Sequence, residues 1–253
     1  MTGIHISSPG LVLDSAAVLG SVIPLTPGEA AVLDLANLKY WWSAKDAVVL
    51  GTGGISWADR KAGAVLTGTP GSTPTKTTLS GAAVLDFTNS PVTYLDGLAS
   101  LALTNNFTVV IKVRTKTGWP NAALFAGLRA ADNDGPWIYA FANGTIAAQV
   151  RSGQQATTAS ATIAAGVTSI IDWSWDGTIH RIGKNNTALS VTNATPATSG
   201  AAPTPTQATR VGYGKSTVPL SGYIFDIMIF DLPMRSGDAG RAAQLTTAIN
   251  AIT

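Results

Sequence analysis

From Val48 to Asp231 the chain is a succession of short β-type runs cut by turn residues, and this pattern limits the folds open to it. The runs are AAVLDF (82–87), FTVVIKVRT (107–115), AALFAGLRA (122–130), WIYAFA (137–142), TIAAQVR (145–151), VTSIIDWSWD (167–176), IHRIGK (179–184), ALSVT (188–192), ATRVGYG (208–214) and YIFDIMIFD (223–231). Turn signals such as Asp134-Gly135-Pro136 and Asn143-Gly144 separate them. Asn143-Gly144, two positions that tolerate positive φ between two apolar runs, predicts a hairpin. In FTVVIKVRT, Val109, Ile111 and Val113 share one face, with Lys112 and Arg114 opposite. In YIFDIMIFD apolar residues occupy nearly both faces, which predicts a central strand or one covered on both sides. About a dozen short strands with a helix at each end point to an all-β sandwich.

The flanks read differently. Residues 1–25 show no strong period and are expected to form an extended arm. Thr26-Pro27-Gly28-Glu29 has the spacing of a capping box with Pro at the first helical position. With Ala30, Leu33, Leu35 and Leu38 behind it, the segment predicts a helix over 27–38. Tyr40-Trp41-Trp42 ends that helix, and Trp41, Trp42 and Trp57 are expected to seal its junction with the main domain. Trp173 and Trp175 share a strand face, so at least one should be buried. Near the C-terminus, SGDAGRAAQLTTAINAI predicts a helix with Leu245, Ala248 and Ile249 turned inward. Residues 152–166 and 193–207 read as loops. The chain thus divides into an N-terminal arm and capped helix, 1–39, and a sandwich, 40–253.

The inventory of reactive groups is thin. The 253 residues contain no Cys, two His (His5 and His180) and a single Glu, Glu29, among 14 acidic residues. Thiolate metal sites, Cys nucleophiles, multi-His metal sites and a Glu–Glu glycosidase pair are excluded. The 16 basic residues are scattered and the net charge is only +2, which gives no nucleic-acid groove. No apolar run reaches the length of a membrane span, so no membrane insertion is expected, and the first residues lack the pattern of a secretory signal. Asp172/Asp176 and Asp226/Asp231 have the wrong spacing or position for a glycosidase pair. His180, beside Arg181 and with Tyr213 available, reads either as a hairpin residue or as a lyase base. The expectation is a chain without catalysis.

The sharpest local feature is Asp132-Asn133-Asp134-Gly135-Pro136-Trp137. Asp132 and Asp134 offer oxygen ligands of the kind calcium takes, beside an aromatic face suited to a sugar ring. Trp119 and Asn121, on a loop flanking the same strand pair, join Asp132, Asn133, Asp134 and Trp137 as candidate glycan contacts. The alternative is a polar β-turn beside a partly buried Trp. No other cofactor is implied.

Five segments carry a resemblance. Tyr40-Trp41-Trp42-Ser43-Ala44-Lys45-Asp46 looks like an opening aromatic-x-x-A-x-D segment. Gly54-Ile55-Ser56-Trp57-Ala58-Asp59 supplies a W-x-D stretch, with Pro74-Thr75 after it. Ala83–Phe87 leads through a polar tract to the long strand Phe107–Thr115. Trp175-Asp176-Gly177 precedes Arg181-Ile182-Gly183-Lys184-Asn185, a DG hairpin in which Asn185-Asn186 replaces the usual Asn-Gly. Arg210-Val211-Gly212 leads to the closing run Ser221–Asp231, where Asp226 stands in place of a frequent Glu. Over residues 40–252 the chain resembles the concanavalin A-like, laminin G-like jelly-roll family. The resemblance implies a two-sheet jelly roll, a fold shared by lectins, glycan hydrolases, lyases and structural modules. The paired Glu of the resembling glucanases is missing here.

That family acts mostly outside cells, on glycans or adhesive partners. A chain without export signal, Cys or anchor reaches the outside as part of a larger particle. The sequence is therefore read as a bacteriophage or phage-like virion protein (tail fibre, head spike or capsid decoration), made in the bacterial host cytoplasm. Its expected partners are other virion proteins, copies of itself and host cell-surface polysaccharide. Docking is expected through the capped helix at Thr26, Glu29 and Leu33. The alternative is a carbohydrate-binding or adhesion module of a bacterial surface or secreted protein. A polysaccharide-degrading enzyme using Asp132, Asp172 or His180 comes third.

Overall fold

The computed structural model describes residues 24–88, 90–97, 106–119, 121–127, 136–151, 154–193, 209–213 and 219–253. Among the described residues the strands form two antiparallel sheets. One, eight-stranded, runs through β15 (Thr187–Ala188), β14 (His180–Lys184), β13 (Thr168–Trp175), β8 (Phe107–Thr115), β18 (Gly222–Phe230), β6 (Ala82–Phe87) and β5 (Thr75–Leu79), with β1 (Leu38–Ser43) also paired to β18. The other, ten-stranded, runs through β16 (Val191–Asn193), β12 (Gln154–Thr158), β11 (Ile146–Arg151), β10 (Trp137–Ala140), β9 (Ala122–Gly127), β17 (Thr209–Val211), β7 (Leu95–Gly97), β4 (Val65–Gly68), β3 (Ile55–Ala58) and β2 (Val48–Val49). Val109, Ile111 and Val113 from the first sheet pack against Phe125, Ile138 and Ala148 from the second in one core. This is the two-sheet sandwich expected of the alternating runs.

The eight-stranded sheet also carries a patch of apolar side chains on its outer face, and helices cover that patch. α1 (Pro27–Leu33) and α2 (Ala239–Ala251) place Val32, Leu245, Ala248 and Ile249 over Trp41, Val110, Met228 and Phe230. β18 is therefore buried on both sides, with Ile224, Ile227 and Ile229 facing the other sheet. α1 opens on the predicted capping box, the Thr26 N–H donating to Glu29 Oε2 at 2.7 Å and the Glu29 N–H to Thr26 Oγ1 at 3.2 Å. It ends at Leu33, earlier than the predicted 38, because the chain from Leu38 pairs with β18 and is pulled into a strand. Only Trp41 belongs to the helix-covered layer; Trp42 and Trp57 lie in the core between the sheets. Trp173 and Trp175 are both buried there, Phe107 meeting the Trp173 ring edge-on at 4.9 Å.

Two turns and one strand refine the sequence reading. In the β10–β11 hairpin Gly144 has φ +81°, and a Cβ there would lie 2.3 Å from the Ile163 carbonyl oxygen. Asn143 is not among the positive-φ residues; its Oδ1 accepts from the Thr145 N–H at 3.0 Å. Between β14 and β15, Asn185 and Asn186 take φ +49° and +67°, so the Asn-Asn pair meets the left-handed demand of a tight hairpin. Residues 154–158, expected to be loop, form β12. Its QQATT sequence lacks apolar alternation, but pairing with β11 and β16 buries Ala156.

Candidate functional site

Along β10 the side chains alternate. Ile138 and Ala140 enter the core, which sends Trp137 and Tyr139 to the outer face of the ten-stranded sheet. Phe141, two residues beyond Tyr139, joins them. The Trp137 and Tyr139 rings stack with centroids 4.1 Å apart and planes 13° from parallel, and Phe141 meets Tyr139 edge-on at 4.8 Å. Trp137 and Phe141 are half-buried and Tyr139 is 8% exposed. The partners across the ladder suit this crowding. Ala147 stands opposite Tyr139, and Gln149 opposite Trp137 with Gln155 beyond it. Gln155 Nε2 donates to the Tyr139 hydroxyl at 2.8 Å. Burial pushes the Tyr139 phenol above its ordinary range, and the Gln155 bond opposes that shift only in part.

In the other direction the same row passes from Trp137 through residue 126 to Arg210 and Asp96. Arg210 Nε and Nη2 donate to the two Asp96 oxygens at 2.6 and 2.9 Å. Its guanidinium carbon lies 4.4 Å from the Tyr94 ring centre and 5.6 Å from that of Tyr213. The Asp96 hydrogen bond holds the guanidinium above its already high range, against a burial effect. All four residues are half-buried. The outer face thus carries two aromatic clusters with amide, guanidinium and carboxylate groups between and beside them. Such a surface stacks on a flat partly apolar ligand and hydrogen-bonds its polar edge.

Of the three described residues expected to contact glycan, Trp119, Asn121 and Trp137, only Trp137 belongs to this face. Trp119 is 5% exposed and packs into the core, where it presents no ring to a glycan, contrary to its reading as a candidate contact. Asn121 is exposed, and its Oδ1 accepts from the Ala142 N–H at 3.0 Å, tying its loop to the β10–β11 turn. Asp132, Asn133 and Asp134, and with them the expected calcium ligands, lie outside the described residues. Among the described residues no cluster of three or more His, Asp or Glu could hold a metal. The sequence reading assigned none of Tyr94, Asp96, Tyr139, Phe141, Gln155 and Arg210 to a site, and named Tyr213 only beside His180. The period-two spacing of Trp137, Tyr139 and Phe141 was the one signal available for part of the set.

The residues assigned to docking turn inward in part. Glu29 is 2% exposed and accepts from Lys45 Nζ at 2.9 Å and Arg60 Nη1 at 3.0 Å, so it presents no carboxylate to an outside partner. Burial alone would raise its pKa, but hydrogen bonds from Lys45, the Thr26 N–H and Arg60 outweigh it and bring the carboxyl down to about 2. Thr26 caps α1, and Leu33 packs against the layer between the helices and the sheet. The two described residues of the third-ranked catalytic set, Asp172 and His180, sit in structural pairs. Arg235 clamps Asp172 with bonds of 2.5 and 2.8 Å, and burial pushes the Asp172 carboxyl up despite that pair. His180 Nδ1 accepts from Trp173 Nε1 at 3.0 Å, with its ring 4.4 Å from Trp175.

No family model matches the chain, laminin G-like or other, and no curated protein matches it in sequence. Solved structures do match in fold. Domain 4 of AbnA, a GH43 extracellular arabinanase from Geobacillus stearothermophilus solved in complex with arabinotriose, is 15% identical with a TM-score of 0.59, over 86% of this chain and 98% of that one. A Trypanosoma rangeli sialidase in complex with the inhibitor DANA is 13% identical with a TM-score of 0.61, over 89% of this chain and 34% of the sialidase. The binding domain of botulinum neurotoxin DC, in complex with SialylT, is 10% identical with a TM-score of 0.56, over 86% and 51%. The chain thus spans about a third of the sialidase and half of the toxin domain. These matches overturn the expectation of a chain without catalysis, since structures of glycan hydrolases stand beside binding domains among its fold relatives. What this chain shares with all three is an antiparallel β-sandwich.

Proposed function

We propose that this protein binds carbohydrate on the outer face of its ten-stranded sheet. The observation that carries the reading is the Trp137–Tyr139–Phe141 ladder on a face that no helix covers among the described residues, with Gln155 alongside. The C–H face of a sugar stacks on an aromatic ring, and its hydroxyls exchange hydrogen bonds with amides. Fold relatives solved with arabinotriose and with SialylT support the reading. Calorimetry with arabinotriose, cello-oligosaccharides and sialyllactose tests it. Binding by the unaltered protein that is lost in Trp137→Ala, with the fold intact, is expected. No binding to any of them, or binding indifferent to Trp137→Ala, would overturn it.

Stacking on a few rings gives modest affinity, so the module gains from repetition. The setting we assign is display on a virion, residues 1–23 leading toward other virion proteins or other copies of the chain. The sequence pattern motivates this, an arm ahead of a lectin-like sandwich. Truncation of residues 1–23 is expected to abolish particle incorporation and leave sugar binding intact, and normal incorporation would refute the setting.

A further inference from the structure

The register across the ten-stranded sheet sets Trp137 and Arg210 on one row, with residue 126, an alanine, at the single position between them. Two strand spacings separate the two positions, roughly 9.5 Å. That is wider than one monosaccharide ring. At the far end Arg210 is flanked by Tyr94 and Tyr213, whose ring centres are 5.9 Å apart, so the second position is also aromatic. We infer that the face carries two sugar subsites, one on Trp137 and one on the Tyr94–Arg210–Tyr213 cluster, and that its ligand is an uncharged linear oligosaccharide lying across the strands. The inference rests on the carbohydrate-binding reading above and adds the length, direction and charge of the ligand.

Direction follows from the row itself. A chain laid across the strands from Trp137 toward Arg210 ends on the Tyr94 and Tyr213 rings, with Gln155 behind the first platform. Charge follows from pairing. The Arg210 cation is matched by the Asp96 carboxylate through two hydrogen bonds, and the row beyond them continues as Thr67 and Ser56. A carboxylated sugar entering there would have to break the Arg210–Asp96 pair or sit beside the Asp96 charge. A neutral sugar has neither penalty, and its hydroxyls can both donate and accept along the pair's edges.

The experiment uses the full chain and neutral arabinan, cellulose and xylan fragments from disaccharide to hexasaccharide, with sialyllactose as the acidic comparison. In at least one neutral series the affinity is expected to rise about tenfold or more between disaccharide and tetrasaccharide and then level off. Tyr213→Ala should remove that gain with chain length, and Trp137→Ala should remove binding of every fragment. The length series on the unaltered protein decides the question even where a variant fails to fold. Equal affinity for disaccharide and longer fragments, with binding still dependent on Trp137, would overturn the second subsite and leave the single-platform reading standing. Preference for sialyllactose over every neutral series would overturn the uncharged ligand. No binding to any probe would overturn the carbohydrate-binding reading and this inference with it.

Discussion

The two outer faces of this sandwich solve opposite problems. On the eight-stranded sheet the outward residues include Trp41, Val110, Ile170, Met228 and Phe230, a surface water would penalise, and α1 and α2 bury it. On the ten-stranded sheet the outward residues are Trp137, Tyr139, Gln155, Arg210 and Asp96, which combine ring surface with hydrogen-bonding edges. Apolar side chains packed without polar edges, rings included, need a permanent cover, whereas rings bordered by hydrogen-bonding groups tolerate water and can exchange it for a ligand. The same pleated backbone thus yields a structural side and a candidate recognition side, and side-chain type alone separates them.

Substitutions should pull the two sides apart. The largest loss is expected for Phe230→Ala, which empties a fully buried ring site beneath the helices; denaturant unfolding should show about 4 kcal/mol lost. A truncation that removes residues 1–38 takes away Val32 and Leu38, both buried in the same layer, and should cost roughly 3 kcal/mol relative to truncation at residue 23. The two truncations compared by thermal melting test whether α1 is part of the sandwich or a detachable arm.

Glu29 offers a pH-dependent version of the same test. Its folded-state pKa of about 2 lies below the ordinary 4.5, so its contribution is present above about pH 4.5 and fades as pH falls toward 2. The expected loss over that window is of the order of 2 kcal/mol. Glu29→Gln should be less stable at neutral pH and show a flatter acid limb; an unchanged acid limb would mean that the Lys45 and Arg60 pairing adds nothing. The smallest effect on stability belongs to the other face. Trp137→Ala removes one half-exposed ring from a stacked pair and should cost about 1 kcal/mol in unfolding while abolishing sugar binding. A Trp137→Ala loss as large as that of Phe230→Ala would erase the distinction between the two faces.

Much of the structural side was legible in the chain. YIFDIMIFD announced a strand buried on both sides because its apolar residues fall on both parities, and Thr26–Glu29 announced a helix start because capping is a local exchange of hydrogen bonds. The recognition side was hardly legible. Asp96 and Arg210 lie 114 residues apart in sequence, and neither carries a signal of its own. Trp119 read as a candidate glycan contact because it sits among turn residues, yet the loop turns it into the core. β12 went unread because a QQATT strand takes its stability from neighbours on either side rather than from its own pattern.

Sequence by itself determined the β class of the fold, the capped helix, the double-sided strand and the absence of thiol chemistry. Each depends on periodicity, composition or contacts within a few residues. Only the tertiary structure decided which aromatics face outward together, where Glu29 spends its charge, and that Trp137 shares a row with Arg210. Those depend on strand register and order, which are set by the packing of the whole sandwich and leave no local trace in the chain.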